Sequence, residues 1–211
     1  MREREEVTFH VLRFPRDAAR WHLVHDFLTL RKDVFVDRMH WRLHSHGATE
    51  FEQYDHFRTT YVIATAAETG KVVGGARLLR TDHVNDTCSG RVHYSYMIRD
   101  AARGLLDGLP KSLLDAEPPQ DARSWELTRL VSVGGASVSK GILEAVNRFL
   151  TAEGARRCLF LGPPAFLRMA AQMGFEPRRL GPVVGNESGR FLAFSCDVIR
   201  DGLLVHRSHV A

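Results

Sequence analysis

The stretch from 124 to 162 constrains the fold most. "SWELTRLVSV" (124–133) is rich in β-branched and apolar residues and reads as a core strand. "GASVSKGILEAVNRFLTAEG" follows as an amphipathic helix, with Ile142, Leu143, Val146 and Leu150 in phase and Gly154 as its stop. "ARRCLFLG" is again a strand, and "PAFLRMAAQMG" a short helix. Elsewhere the pattern is of hairpins. "TYVIATAAETGKVVGGARLLR" is two strands joined at a Glu68-Thr69-Gly70 turn, and "RRLGPVVGNESGRFLAFSCDVI" closes the chain as a hairpin around Asn186 to Gly189. Strands alternating with helices in one half and hairpins in the rest predict a mixed α/β sheet with helices on both faces.

The first third adds a strand, "EVTFHVLRF". A helical period then runs over 16–39 through Trp21, Val24, Phe27, Leu28, Arg31 and Phe35. Residues 42–57 are polar, His-rich and aperiodic, and read as a long loop. "YMIRDAARGLLDG" reads as a short helix stopped near Gly108, and "PKSLLDAEPPQDAR" as a connector. At 211 residues, one domain is the default reading.

No apolar run approaches the roughly 20 residues of a membrane helix, and the charged start "MREREEVTFH" has no signal core. Three scattered cysteines, Cys88, Cys158 and Cys196, form no CxxC pair. They indicate neither a zinc site nor a disulfide framework, and fit a reduced cytoplasm. The net charge of +4 is unevenly spread: residues 129–180 hold eight Lys or Arg against three acids. Such a bias suits an acidic partner or a phosphorylated ligand, and equally a solvated surface.

Three groups of residues carry possible chemistry. Glu126 interrupts the strand at 124–133, and so does Arg129. Alternation puts Glu126, Thr128 and Leu130 on one face and Leu127 and Arg129 on the other, so the two charges meet only if the strand is bulged. The second group is Arg31, Phe35 and Trp41, followed by the acids of "EFEQYD" (Glu50, Glu52, Asp55). A cation, two aromatics and several carboxylates suit a zwitterionic, positively charged ligand; solvated acids and core aromatics are the plainer reading. The third is "GGARLLR", where Gly74 and Gly75 invite close backbone approach or a bulge and Arg77 follows.

The order of elements resembles the acyltransferase fold of the N-acetyltransferase superfamily. That resemblance implies a mostly antiparallel central sheet and a splayed strand pair, here 124–133 and 156–162. Together, "RKDVFVDRMHW", "EFEQYD", "GGARLLR", "YMIRD", "WELTRLVSV" and "FLRMAAQMGFEPRRLGP" resemble the acyl-homoserine lactone synthases, the autoinducer synthases of bacterial quorum sensing. The spacing of Arg31, Phe35, Trp41, Glu52, Asp55, Arg77, Glu126 and Arg129 carries the match over most of the chain.

The resemblance implies a single synthase domain over 1–211, with about 1–58 forming much of the S-adenosylmethionine side and about 124–200 the acyl-donor side. It implies acylation of the S-adenosylmethionine amine by a thioester, then lactonisation with release of methylthioadenosine. Both molecules are substrates; no cofactor and no metal are expected. By carry-over, Glu126 is the base, Arg77 and Arg129 organise the acids, and Arg31, Phe35, Trp41, Glu52, Asp55 and Thr128 bind S-adenosylmethionine. Met97, Leu159, Phe160, Leu161 and Met169 are acyl-pocket candidates. Glu52 departs from the family's usual Asp, and Ala102 from a frequent Phe. The strand "CLFLG" lacks the Ser or Thr of 3-oxo-acyl producers, which points to an unsubstituted or branched chain. The donor is an acyl carrier protein or an acyl-coenzyme A, and Arg156–Arg157 and Arg178–Arg179 could serve either. A cytoplasmic monomer is expected, with no nucleic acid or membrane partner. The alternatives are an acetyl-coenzyme A-dependent N-acetyltransferase of the same fold, and a non-catalytic ligand-binding relative.

Overall fold

Twelve strands and four helices follow the predicted order, with local departures, in a computed structural model that describes residues 6–86, 92–186 and 189–200. Strand β1 (Val7–Arg13) leads through a 3-10 turn to helix α1 (His22–Arg31). The helical period predicts that α1 runs on to Met39. Instead the backbone widens into a π-helical segment, Lys32–Arg38, in which Met39 N–H donates to the Val34 carbonyl at 3.0 Å. Side-chain periodicity is nearly blind to such a widening.

The expected loop over 42–57 contains a small hairpin, β2 (Ser45–His46) and β3 (Thr49–Glu50). The predicted central hairpin forms as β4 (Thr60–Ala66) and β5 (Val72–Arg80). Next come β6 (Asn85–Asp86), β7 (His93–Tyr94) and α2 (Met97–Ala102). Helix α2 stops well short of Gly108, and Gly104 follows it with φ +74°. The chain continues as β8 (Ser124–Ser132), α3 (Ala136–Ala152), β9 (Arg157–Gly162), α4 (Pro164–Gln172), β10 (Arg178–Arg179), β11 (Val184–Asn186) and β12 (Gly189–Asp197). Residues 187–188, within the turn expected from the sequence at 186–189, lie outside the described residues, as do Cys88 and positions 1–5.

The contacts divide the chain into two units, residues 1–78 with 129–146, and 79–128 with 147–211. In the first, β1 pairs with β4 and β4 with β5, both antiparallel. The β4–β5 register shifts between Ala64 and Thr65, leaving Val73 as an extra residue beside Gly74. Both glycines are needed where they stand. A Cβ on Gly75 would lie 2.7 Å from the Phe27 ring of α1, and one on Gly74 3.0 Å from Ile142 of α3. Adjacent strand residues point to opposite faces, so this unit carries helices on both faces of β5.

In the second unit β8 runs parallel to β9, and β12 pairs antiparallel with β9, β10 and β11. By the β8–β9 register α3 and α4 share one face, and α2 meets the other at Glu126. Trp125 meets Phe149 of α3 edge-on at 5.3 Å, while Phe160 and its cross-strand partner Phe194 stack at 4.9 Å beneath Phe166 of α4. Cys158 and Cys196, also cross-strand partners, are buried, and burial raises both thiol pKa values. Among the described residues no helix is long and apolar enough to cross a membrane.

Candidate active site

Six charged side chains interlock in the first unit. Arg31, the last residue of α1, donates through both terminal nitrogens to Asp55, at 2.7 and 2.9 Å, and through Nε to Glu50 at 2.5 Å. Arg77 on β5 donates to Asp55 at 3.1 Å and to Glu52 at 2.6 Å. Arg129 on β8 reaches Glu52 at 2.9 Å and Glu50 at 3.4 Å. Three guanidinium groups thus alternate with three carboxylates, and the formal charges cancel. Arg31, Arg77 and Glu50 are fully buried, where a charge persists only if paired.

Asp55 is the hub. It also accepts the Tyr61 hydroxyl at 2.9 Å and the Glu52 N–H at 3.1 Å. Burial pushes its carboxyl upward, but Arg77 and Arg31 outweigh that and hold it well below the usual carboxylate range. Glu52 is likewise held low: burial is opposed by Arg129 and Arg77. The Tyr61 phenol is pushed well up, by burial and by Asp55. The three carboxylates lie close enough to hold a cation. Each is already engaged by guanidinium groups, so the donor set is that of ion pairs and not of a metal site.

Arg129 reaches this cluster because the strand is locally abnormal. Its φ is +54°, in the left-handed region that a non-glycine residue enters at a cost of about 1 kcal/mol or more. Regular alternation fails at this residue, and the acids "EFEQYD" lie at the end of its side chain. The β8–β9 ladder stops nearby. Pairing runs from Ser124–Arg157 to Leu127–Phe160, although β8 continues to Ser132 and β9 to Gly162.

Phe35 and Trp41 are brought together as a parallel stack, centroids 5.0 Å apart and planes 9° from each other. The π-helical segment does this: Phe35 lies within it, and Trp41 N–H returns to the Phe35 carbonyl at 2.9 Å. Phe35 belongs to the core around Phe27 and Tyr61, with Trp41 packed against it.

Glu126, in the second unit, is fully buried. Its two oxygens accept the N–H groups of Met97 at 3.0 Å and Ile98 at 2.7 Å. It therefore anchors the first turn of α2, where an anion is favoured. Leu159 is its partner across the ladder and points to the same face, as does Leu161 two residues on. Thr128, buried, shares the parity of Glu126. Among the acyl-pocket candidates, Met97, Leu159 and Leu161 thus lie on the Glu126 side. Phe160 points the other way, into the stack with Phe194, and Met169 sits on α4, which packs on that opposite face.

Glu50 and Tyr61 complete the cluster; the sequence placed Glu50 among the acids suited to a charged ligand, but the resemblance gave it no role, and Tyr61 was given none. Glu50 occurs in the quoted acid motif, but its burial on β3 has no local signature. Tyr61 alternates unremarkably along a core strand.

Residues 18–143 match the family model described as Autoinducer synthase. An acyl-homoserine-lactone synthase of Ralstonia solanacearum is 30% identical over 164 residues, covering 72% of this chain and 71% of the relative. TofI, solved in a ternary complex with an inhibitor and MTA, is 26% identical with a TM-score of 0.71, covering 90% of this chain and 91% of TofI. BjaI is described as a CoA-dependent acyl-homoserine lactone synthase and was solved with SAM and isopentyl-CoA. It shares the fold at a TM-score of 0.73 and 22% identity, over 92% of this chain and 85% of BjaI.

Proposed function

Because the chain belongs to the autoinducer synthase family, the acyl-homoserine lactone synthases, we propose how its residues divide that reaction. The amine of S-adenosylmethionine attacks the carbonyl of an acyl thioester, the amine proton is removed, and the thiol leaves. The carboxylate of the acylated product then attacks its own γ-carbon. The C–S bond breaks, its electron pair departs with methylthioadenosine, and the lactone closes. The complexes of TofI with MTA and of BjaI with SAM and isopentyl-CoA support both substrates.

The S-adenosylmethionine side is the six-charge cluster with the Phe35–Trp41 stack. The stack offers a π-face to the adenine or the sulfonium. The acids Glu52 and Asp55 face the ammonium, held in place by Arg31 and Arg77. Arg129, whose long bonds to Glu50 are the loosest in the cluster, takes the substrate carboxylate and turns it toward the γ-carbon, an effect of orientation. Glu126, directly or through a water, accepts the proton that the ammonium loses. Thr128 lines the same face. The thioester oxygen finds its donors among backbone N–H groups near the abnormal backbone of β8. The acyl chain lies against Met97, Leu159 and Leu161. The synthase acts as a monomer in the cytoplasm, where both substrates are made.

The observation that carries this assignment is Arg129, turned by a left-handed backbone into the acid cluster from the strand that also bears Glu126. The test is mass spectrometry after incubating the protein with S-adenosylmethionine and a panel of acyl thioesters, on carrier protein and on coenzyme A. Acyl-homoserine lactone and methylthioadenosine should appear in equal amounts. Absence of both with every donor would sink the reading.

A further inference from the structure

The six-charge cluster is sealed except at two points. The side chains of Glu52, at 13%, and Arg129, at 6%, retain exposure, whereas those of Arg31, Glu50, Asp55 and Arg77 have none. The two open members carry opposite charges and bond each other at 2.9 Å. A zwitterion that enters here takes Glu52 with its ammonium and Arg129 with its carboxylate, and so parts the pair. Arg129 then gives up its 2.9 Å partner.

Glu50 stays behind it. One Glu50 oxygen accepts Arg31 Nε at 2.5 Å, and the other accepts Nε and Nη2 of Arg129, both at 3.4 Å. The latter two lie at the limit of hydrogen-bond range and hold little as bonds. A buried charge nevertheless acts over such distances with little screening. Arg31 already holds both oxygens of Asp55, at 2.7 and 2.9 Å. Burying a further carboxylate beside it is costly, and the neighbour this one adds is Arg129. With no exposed surface, Glu50 touches no substrate and can act only through that arginine.

We propose that Glu50 is a positioning residue for lactonisation: it fixes the Nε–Nη2 edge of Arg129 once the substrate has claimed Glu52, and so aims the substrate carboxylate at the γ-carbon. This rests on the synthase reading, in which Arg129 takes that carboxylate, and adds the group that aims it. Ring closure forms the O–Cγ bond and breaks the Cγ–S bond, whose electron pair leaves on sulfur. No proton moves, so the direction of approach is what the protein supplies. Acylation occurs at the amine and does not use this direction. Loss of Glu50 therefore uncouples the two steps instead of slowing both alike.

The test is a single turnover, with protein in excess over the thioester that the parent uses best and S-adenosylmethionine saturating. Thiol release reports acylation, corrected for its rate without S-adenosylmethionine; methylthioadenosine, separated by chromatography, reports ring closure. In the parent the two should appear together. In Glu50→Gln, similar in shape but uncharged, methylthioadenosine should trail thiol by on the order of tenfold, the scale of cost for a misaimed group. Acylated S-adenosylmethionine should accumulate in the mass spectrum over the same interval. Glu50→Asp keeps the charge but draws it back by a methylene; it should show a smaller lag of the same kind, and guards against a Gln variant that does not fold. Thiol and methylthioadenosine slowed equally, or no lag in either variant, would overturn the proposal and mark Glu50 as a group that only holds the cluster together. Neither product from the parent with any donor would instead overturn the synthase reading.

Discussion

Glu126 anchors α2 and is the proposed base, and a single substitution separates the two roles. In Glu126→Gln the amide keeps one acceptor oxygen but turns a donor toward the N–H of Met97 or Ile98. The α2 cap should weaken by about 1–2 kcal/mol, read as a shift in urea midpoint. Loss of the base should lower kcat/KM by about 100-fold or more. A stability loss with unchanged turnover would remove the base assignment and leave Glu126 as an anchor. The acid cluster makes a second prediction, in pH. Asp55 and Glu52 are both held below their unfolded values, which lie near 4. Their contribution is therefore complete above about pH 5 and lost as pH falls through the folded-state values. Glu52→Gln should be less stable at pH 7, yet lose less stability between pH 7 and pH 3.5. An unchanged pH slope would show that Glu52 contributes nothing through its charge. At this scale the sequence named most of the residues that meet in the cluster but not how they are wired. Arg31, Arg77, Glu52 and Asp55 are legible by spacing. That Glu50 closes the ring, and that Arg129 enters it at φ +54°, depends on burial and backbone geometry that no local pattern encodes.

Elements set where those residues stand, and the tightest link is between α1 and β5. Gly75 allows Phe27 to lie on the strand, and α1 ends at Arg31 one turn later. Gly75→Ala should push Phe27 and the helix outward, costing about 1–3 kcal/mol and raising KM for S-adenosylmethionine more than for the thioester. Combining it with Phe27→Leu should restore part of the stability. The recovery is partial because the Val62 carbonyl, 2.8 Å from the new Cβ, cannot yield as a ring can. No recovery would mean that the backbone contact dominates. The Gly-Gly pair was readable as a place of close approach, and it serves both as that and as the neighbour of a bulge. The π-helical segment was not readable, because apolar spacing of three and four residues fits either winding over two turns. Yet that segment stacks Phe35 on Trp41. The β2–β3 hairpin escaped for the opposite reason: two-residue strands are too short to show alternation.

Across the whole molecule the uneven charge is the feature that structure revises most. The arginine pairs at 156–157 and 178–179 look alike in sequence, but half of each is already engaged. Arg157 donates to Ser124 at 3.0 Å, and Arg178 to Asp197 at 2.9 Å. Arg156 and Arg179 are exposed, and neither has an ion pair among the described residues. Exposed charges act at long range and are screened by salt. Arg156→Glu combined with Arg179→Glu should therefore discriminate between donors. With an acyl carrier protein, an acidic partner, KM should rise severalfold at low ionic strength and recover toward the parent value in about 0.5 M salt. With the same acyl group on coenzyme A the change should be smaller. Equal increases for the two donors would place these arginines at a phosphate common to both, the phosphopantetheine arm. No change with either would return them to the solvated surface that their charge alone allows.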